Sequence, residues 1–468
     1  MRTEQTGNGQ PGVSAGDVSK GLQPRFIVEP ARQVPVRHET EVLVVGGGPA
    51  GVAAAVAAAR NGASTTLVER YNHLGGMATG GLVILIPHMS AGTQEQEIAG
   101  ICDEIIRRLE AKDGVRHPGR QHLGSTDPRL LEEFKHYHDF VVDGRVRMTA
   151  IVDPELLKCV LNEMIQEARV KLFLHSWAGC AIVEGEQVKG VIFESKSGRQ
   201  AILSQVTIDA TGDGDVLAAA GAEYDGVVDP NLRSASLAVV WRMGGVEYRK
   251  YSEFRFRDPE AFRSILGEMR EVAGFDVFPL PSHRDDQVWV NNWVLGRSCL
   301  DVEDLTRTEL EVRAAMLRVC RILKEKMPGF ERSFILDTAS QLGTRGSRRL
   351  LGEYVVTEND VRSGIVFPDT IAMIPPFHIK TPPKAIPYRA LVPRRLEGLL
   401  AAGRCFSSDS FANDLLNLIP FCVAMGEAAG TAAALAVRKQ TRVRDVDVRG
   451  LQRQLVAQGV WLPRDLNF

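Results

Sequence analysis

The chain has 468 residues with 56 basic and 58 acidic side chains, a formal charge of −2 and a pI near 6.6. That balance sets up no field that would draw nucleic acid or an anionic membrane. Seven cysteines, an odd number without a Cys-x-x-Cys pair, speak against a disulfide framework or a structural zinc site, and a reducing cytoplasm is the expected setting.

Residues 1–38 are rich in Gly, Gln, Ser and Pro and poor in large apolar side chains, so a flexible tail is expected there. No early charged-then-apolar stretch reads as a secretory signal. The organising stretch is Glu41-Val-Leu-Val-Val-Gly-Gly-Gly-Pro-Ala-Gly51. Its β-branched run predicts a buried parallel strand. Gly46, Gly48 and Gly51 then fall in G-x-G-x-x-G spacing. This spacing allows a tight turn, a close backbone approach to a pyrophosphate, and close packing of the next helix. Residues 52–60 form a small-residue helix whose first N–H groups face the phosphates. Glu69 ends a second strand about 20 residues on, where a carboxylate accepts hydrogen bonds from a ribose diol. These residues predict a dinucleotide site and leave open which dinucleotide it takes.

Two Gly-Gly pairs in residues 75–81 mark backbone that a flat group must approach. Residues 95–112 have helical spacing. His136 and His138 lack acidic or Cys partners at ligand spacing and read as surface residues, so no metal site is expected. Asp153 caps a helix that runs to about residue 168. Residues 170–174, 179–184 and 187–195 alternate like antiparallel strands. Residues 205–215 are again strand into glycine turn. From 226 to 383 the character changes to short strands and a charged helix at about 304–327, read as an inserted α+β substrate domain. The dinucleotide-binding domain is then discontinuous, 39–225 and 384–468. The apolar run at 415–437 contains Asn417, Pro420 and Glu427 and reads as a buried helix rather than a membrane span.

Four separated motifs carry a family resemblance. They are Val44-Val-Gly-Gly-Gly-Pro-Ala-Gly51 with Leu74-Gly-Gly-Met-Ala-Thr79; Ile208-Asp-Ala-Thr-Gly-Asp-Gly-Asp215; Gly343-Thr-Arg-Gly-Ser-Arg-Arg349 with Gly352-Glu-Tyr354; and Gly403-Arg-Cys-Phe-Ser407 with Met425-Gly-Glu-Ala-Ala-Gly430. In order and spacing they resemble the FAD-dependent oxidoreductases that share a flavin-domain plan with succinate dehydrogenase and fumarate reductase flavoproteins. The resemblance implies an α/β fold with a Rossmann-like, glutathione-reductase-like domain, and FAD as the dinucleotide. It implies that Gly46, Gly48, Pro49, Ala50 and Gly51 hold the pyrophosphate, with Glu69 and Arg70 at the adenosine. Gly76, Met77, Ala78 and Thr79 would line the isoalloxazine. Ala210, Thr211 and Gly212 would close over the phosphates, Gly403 and Arg404 would meet the ribityl chain, and backbone near Trp177-Ala178 the adenine. Asn417, Leu418 and Ile419 would supply donors before a helix whose positive end faces the flavin's pyrimidine edge.

The chain departs from the pattern in two places. Asn417 stands where an Arg is common, and Ser407 to Ser410 replace the His and Thr often found after Gly-Arg-Cys. This weakens a fumarate-type carboxylate and favours a neutral or hydroxylated substrate: an alcohol, an amine or a sugar-like molecule. No second G-x-G-x-x-G follows, because Leu217 occupies the third position. Electrons are therefore expected to enter from the substrate and leave to oxygen or an external acceptor.

His88 and His378 are the candidate bases, and Arg345 the third candidate catalytic residue. Arg345, Arg348 and Arg349 form either an anion clamp or salt bridges through Glu353. Arg348, Asp409 and Asn413 are candidate substrate ligands, though the last two would equally cap a turn. His73 sits only two residues before Gly75, unlike the His further upstream in fumarate reductase relatives, so the resemblance implies FAD bound non-covalently. The alternatives are an NAD(P)H-dependent flavin monooxygenase or reductase, and a flavin-binding accessory or RNA-modification protein. The near-neutral charge counts against RNA. A small molecule is the expected partner, with no nucleic acid and no membrane, and homo-oligomerisation is left open.

Overall fold

Residues 26–463 and 466 are described by the structure, a computed structural model. Of the expected tail at 1–38, residues 1–25 lie outside the described residues, and 26–34 form neither helix nor strand. In chain order the elements that position the site begin with β1 (Val36–Val45), α1 (Pro49–Arg60), β2 (Thr65–Val68), α2 (Gly100–Glu110) and α3 (Pro154–Glu167). There follow β3 (Lys171–Phe173), β4 (Trp177–Glu184), β5 (Gln187–Ser195), β6 (Gly198–Asp209) and α4 (Asp215–Ala220). Next come β7 (Trp241–Gly244), α5 (Tyr248–Arg257), α6 (Pro259–Ala273), β8 (Asp276–Pro281), β9 (Gln287–Trp293), α7 (Val302–Lys326) and β10 (Phe334–Thr338). The chain returns as β11 (Leu399–Ala401), α8 (Ser410–Leu416), α9 (Ile419–Lys439) and α10 (Val448–Ala457).

One seven-stranded sheet runs in the order β3-β2-β1-β6-β5-β4, with β11 beside the end of β6. β3, β2, β1, β6 and β11 are parallel, whereas β5 and β4 are antiparallel. β6 is long because it serves both arrangements. Its first half pairs with β5 and its last three residues with β11. Residues 170–174, expected to run antiparallel to the next strands, instead form β3, parallel to β2 through Thr66–Lys171 and Leu67–Leu172. The crossover through α3 returns the chain to the starting edge in the same direction, as a parallel pair requires.

Strand alternation divides β1 between two cores. Val42 and Val44 join the cluster built with α1 and α9, and Leu43 and Val45 join a second cluster under β5. α1 is nearly all alanine on its buried faces, so α9 can approach it closely. α9 is long and apolar enough to cross a membrane by composition, yet 89% of its most apolar window is buried against the protein. The expectation of a core helix there agrees with this burial. Asp153 caps α3 as expected, accepting from the N–H groups of Glu155 and Leu156 at 2.8 and 2.9 Å.

A four-stranded antiparallel sheet, β8-β9-β7-β10, packs with α5, α6 and α7 around its own apolar cluster, from Val239 to Phe330. The 226–383 stretch does not bury itself as one body. Val356, Val361, Ile371 and Ile374 join the first core.

Candidate active site

β1 delivers the chain to a cleft at its C-terminal edge. Gly46 turns with φ +99°, and a side chain there would begin 2.5 Å from the Ala210 carbonyl oxygen. At Gly48, by contrast, no atom lies within 4 Å of the place a Cβ would take. This open space sits where the first turn of α1 presents N–H groups that no intrahelical acceptor satisfies. Glu69 is buried at the end of β2. Its carboxylate accepts from the N–H of Gly47 at 2.6 Å and of Tyr71 at 2.7 Å. The cleft offers about 870 Å³ of space, part of it open to solvent. Gly46, Gly48, Pro49, Ala50, Glu69, Arg70, Gly76, Met77, Ala178, Ala210, Thr211, Gly212, Gly403, Arg404, Asn417 and Ile419 all line it.

Four residues expected at the cofactor do not line the cleft. Gly51 does not line the cleft. A side chain there would start 1.7 Å from the Gly46 carbonyl, so its role is close packing. Ala78 and Thr79 lie behind the wall, where the Thr79 hydroxyl donates to the Leu74 carbonyl at 2.6 Å. Met77 and Gly76 present the surface instead. Leu418 faces the adjoining cavity rather than the cleft.

Trp177, Arg404, Cys422 and Asn417 complete the cleft, and of these only Cys422 had no place in the expected site. Trp177 is 58% exposed, and the Arg70 guanidinium lies over its ring at 5.5 Å. Arg404 is anchored at 2.6 Å to Asp213 and donates to the Thr344 carbonyl at 3.1 Å. Cys422, one turn into α9, closes the far end, where burial pushes its thiol up to about 12. Asn417 spends its amide donor on the Arg345 carbonyl at 2.7 Å, tying the entry of α9 to the Arg345 segment. Open space at Gly48, a helix N-terminus, and a carboxylate at the end of β2 fit FAD, the dinucleotide that the resemblance implies.

A second cavity, with about 1370 Å³ of space that is likewise partly open to solvent, meets this cleft. Met77, Arg404, Asn417 and Ile419 belong to both walls. Phe278 and Leu280 of β8, and Trp289, Asn291 and Trp293 of β9, supply one side. Their i, i+2 spacing puts each set on one face of its strand. His88, His138, Asp139, Arg233 and Arg345 add the polar part.

His88 and Asp139 both sit in left-handed backbone, with φ +55° and +59°. His and Asp are among the residues that tolerate this conformation, and such strain clusters at functional sites. His88 Nε2 lies 3.7 Å from Asp139 Oδ2, while Nδ1 is sealed from solvent with no hydrogen-bond partner. Burial pulls the imidazole down to about 4 against the opposing pull of Asp139, so it is neutral at neutral pH. Arg345 lies over the Trp293 ring at 5.7 Å.

Other expected site residues fall elsewhere. His378 is 67% exposed, pairs with Asp143 at 3.4 Å and lines neither cavity. Arg348 turns away to Asp215 at 3.0 Å and the Asp213 carbonyl. Arg349 is buried against Asp225 and the Ser408 carbonyl. Glu353, the partner expected for this cluster, pairs with Arg444 at 2.8 Å. Asp409 caps α8 through the Ala412 N–H and also accepts from the Glu358 N–H. Asn413 donates to the Arg404 carbonyl and to Ser408, tying down the loop after β11. His136, expected at the surface, is buried against Ser252, and His138 lines the second cavity. The missed aromatic wall had a sequence signal, the alternation of large side chains at 278 and 280 and at 289 and 293.

Solved structures with a similar chain course share little sequence. One is a geranylgeranyl bacteriochlorophyll reductase-like protein from Thermoplasma acidophilum, at 13% identity and TM-score 0.44, covering 90% of this chain and 84% of that one. A second is the p-nitrophenol 4-monooxygenase of Pseudomonas putida DLL-E4, at 11% identity and TM-score 0.47, covering 91% and 90%. A third is the flavin-dependent monooxygenase PieE in complex with FAD and substrate, at 16% identity and TM-score 0.49, covering 86% and 59%. Likenesses this weak carry nothing about the reaction. The family model described as FAD dependent oxidoreductase matches residues 41–455, most of the chain, and the protein belongs to that family.

Proposed function

We propose that this FAD-dependent protein oxidises a small organic molecule, an alcohol or amine, held in the second cavity, and passes the electrons to oxygen or an external acceptor. The observation that carries this reading is the continuity of the two cavities, with a neutral buried histidine on the wall of the second. FAD, when bound, supplies the two-electron acceptor. Residues 226–383 contribute the substrate side. Phe278, Trp289 and Trp293 exclude water from the reacting carbon and hold an apolar frame. His88 Nε2 takes the proton that leaves the substrate's hydroxyl or amine. Asp139, 3.7 Å away, stabilises the imidazolium that results.

His73 lines neither cavity and is buried against Thr79 and Ser340, so it offers the flavin no point of covalent attachment. Acid precipitation should release all of the yellow colour. The reaction class is tested by anaerobic mixing of the FAD-loaded protein with alcohols, amines and hydroxy acids. The expected result is flavin bleaching by one of these classes without a nicotinamide. Bleaching by NADPH alone, with none of the organic donors effective, overturns the reading in favour of a monooxygenase or reductase.

A further inference from the structure

Three guanidinium groups reach the wall of the second cavity, and two of them are already engaged. Arg404 is bound to Asp213 at 2.6 Å. Arg233 is held by Asp414, with Nε 3.0 Å from the carboxylate and Nη2 2.7 Å from the backbone carbonyl. Arg345 has no acidic side chain within salt-bridge distance and donates no hydrogen bond among the described residues. Its only side-chain contact of this kind is the face of Trp293. The carboxylate whose field reaches it, Asp414, is spent on Arg233 and on the Ser234 N–H at 2.7 Å. Arg345 is half-buried on the cavity wall, and its planar fork, left without an acceptor there, matches a carboxylate better than any neutral group.

We infer that the substrate carries a carboxylate on a planar, unsaturated frame, with the carboxylate seated on Arg345 and the frame against Phe278, Trp289 and Trp293. This rests on the reading that the second cavity is the substrate's. It changes the substrate class expected from the sequence, where Asn417 had taken the place of a family arginine. The anion-binding role has moved to Arg345, and the Asn417 amide is tied to the same residue's backbone. The Phe278 and Trp293 rings are tilted by 59°, so a flat frame stacks on one of them and meets the other edge-on, gaining apolar burial from both.

The test uses the FAD-loaded protein and four probes: benzoate, trans-cinnamate and their two primary amides. Binding is followed by calorimetry and by perturbation of the flavin absorbance. The acids should bind and the amides should bind roughly 10- to 100-fold more weakly, the discrimination that a charge-assisted fork supplies. Arg345→Ala should weaken the acids by a similar factor and leave the amides unchanged. Arg345→Lys, which keeps the charge and loses the fork, should fall between. Equal binding of acids and amides, no binding of any probe, or unchanged discrimination in Arg345→Ala overturns the inference. If Arg345→Ala fails to hold flavin, Arg345→Lys decides by whether its acid-to-amide ratio falls. The readout needs no turnover. Retained acid selectivity without substrate-driven bleaching sinks the oxidation reading alone, and charge-blind binding sinks this one alone.

Discussion

The carbonyl oxygen of Ala50 lies 2.0 Å from the point where a side chain on Gly426 would begin, and Ala54 stands in the same relation to Gly430 at 2.1 Å. α1 and α9 therefore touch backbone to backbone, and their N-terminal ends enter the same cleft. Because the obstructing atom is backbone, the helices must move apart to admit even a methyl group. Gly426→Ala should lower stability by about 1–3 kcal/mol, the range for overpacking a filled core. It should also reduce flavin occupancy, because the first turn of α1 shifts with the helix. Thermal unfolding and the flavin-to-protein absorbance ratio check both. An unchanged ratio at lowered stability would separate the packing from the cofactor site.

Glu69 is predicted to hold flavin through its carboxylate. With that group gone, the N–H groups of Gly47 and Tyr71 lose their acceptor as well as the ribose losing its ligand. Glu69→Ala should lower the flavin content of the purified protein, and Glu69→Gln should lower it less because the amide oxygen still accepts. Unchanged flavin content in Glu69→Ala would remove the residue from the site.

His88 is predicted to act as the proton acceptor. His88→Asn, which tolerates the left-handed backbone at that position, should slow substrate-driven flavin reduction by roughly 10²- to 10⁴-fold while flavin content stays constant. The neutral ring is the active form. In the wild type the rate at limiting substrate should therefore fall as pH drops toward about 4. Asp139 holds that value up, so Asp139→Asn should move the acid limb to still lower pH. An acid limb indifferent to Asp139 would mean that another group sets it.

Glu427 predicts a pH dependence of stability. It is buried in α9, accepts from the Ile101 N–H at 2.9 Å and so caps α2 from outside. Burial raises its carboxyl from an ordinary value of 4.5 to about 7. The folded state thus binds the proton more tightly than the unfolded chain does. Its stabilising effect is fully present below pH about 4.5 and is lost as pH rises through about 7. At about 1.4 kcal/mol per unit, the loss comes to about 3.5 kcal/mol. Glu427→Gln keeps an acceptor for Ile101 and should flatten this slope between pH 5 and 7 in denaturant titrations. A slope that persists in the variant would assign it elsewhere, with Asp209, raised to about 6 by its own burial, the first alternative.

The cofactor cleft was legible in the sequence because its chemistry is mostly backbone. Gly46, Gly48, Glu69 and Gly403 act through turn conformation, close approach and strand ends, which local spacing sets. Where a side chain's direction mattered, spacing fell short. Ala78 and Thr79 belong to the expected segment yet face inward, and Met77 beside them carries the wall. His88 was found by its place after that segment. Asp139, its partner 51 positions on, was not, because only the tertiary fold brings the two together.

The arginine cluster marks the boundary between the two kinds of knowledge. Arg345, Arg348 and Arg349 are nearly adjacent, and the sequence could not distinguish a clamp from a set of salt bridges. The structure sends Arg348 to Asp215, Arg349 to Asp225, and leaves Arg345 alone over Trp293. By itself the sequence determined the α/β flavoprotein class, the order of the phosphate turn and its helix, and the buried course of α9. These depend on periodicity and on glycines at short range. Only the tertiary structure decided which charges are neutralised and which face a cavity, because a charge's partner is set by distances between segments that the chain's local pattern does not encode.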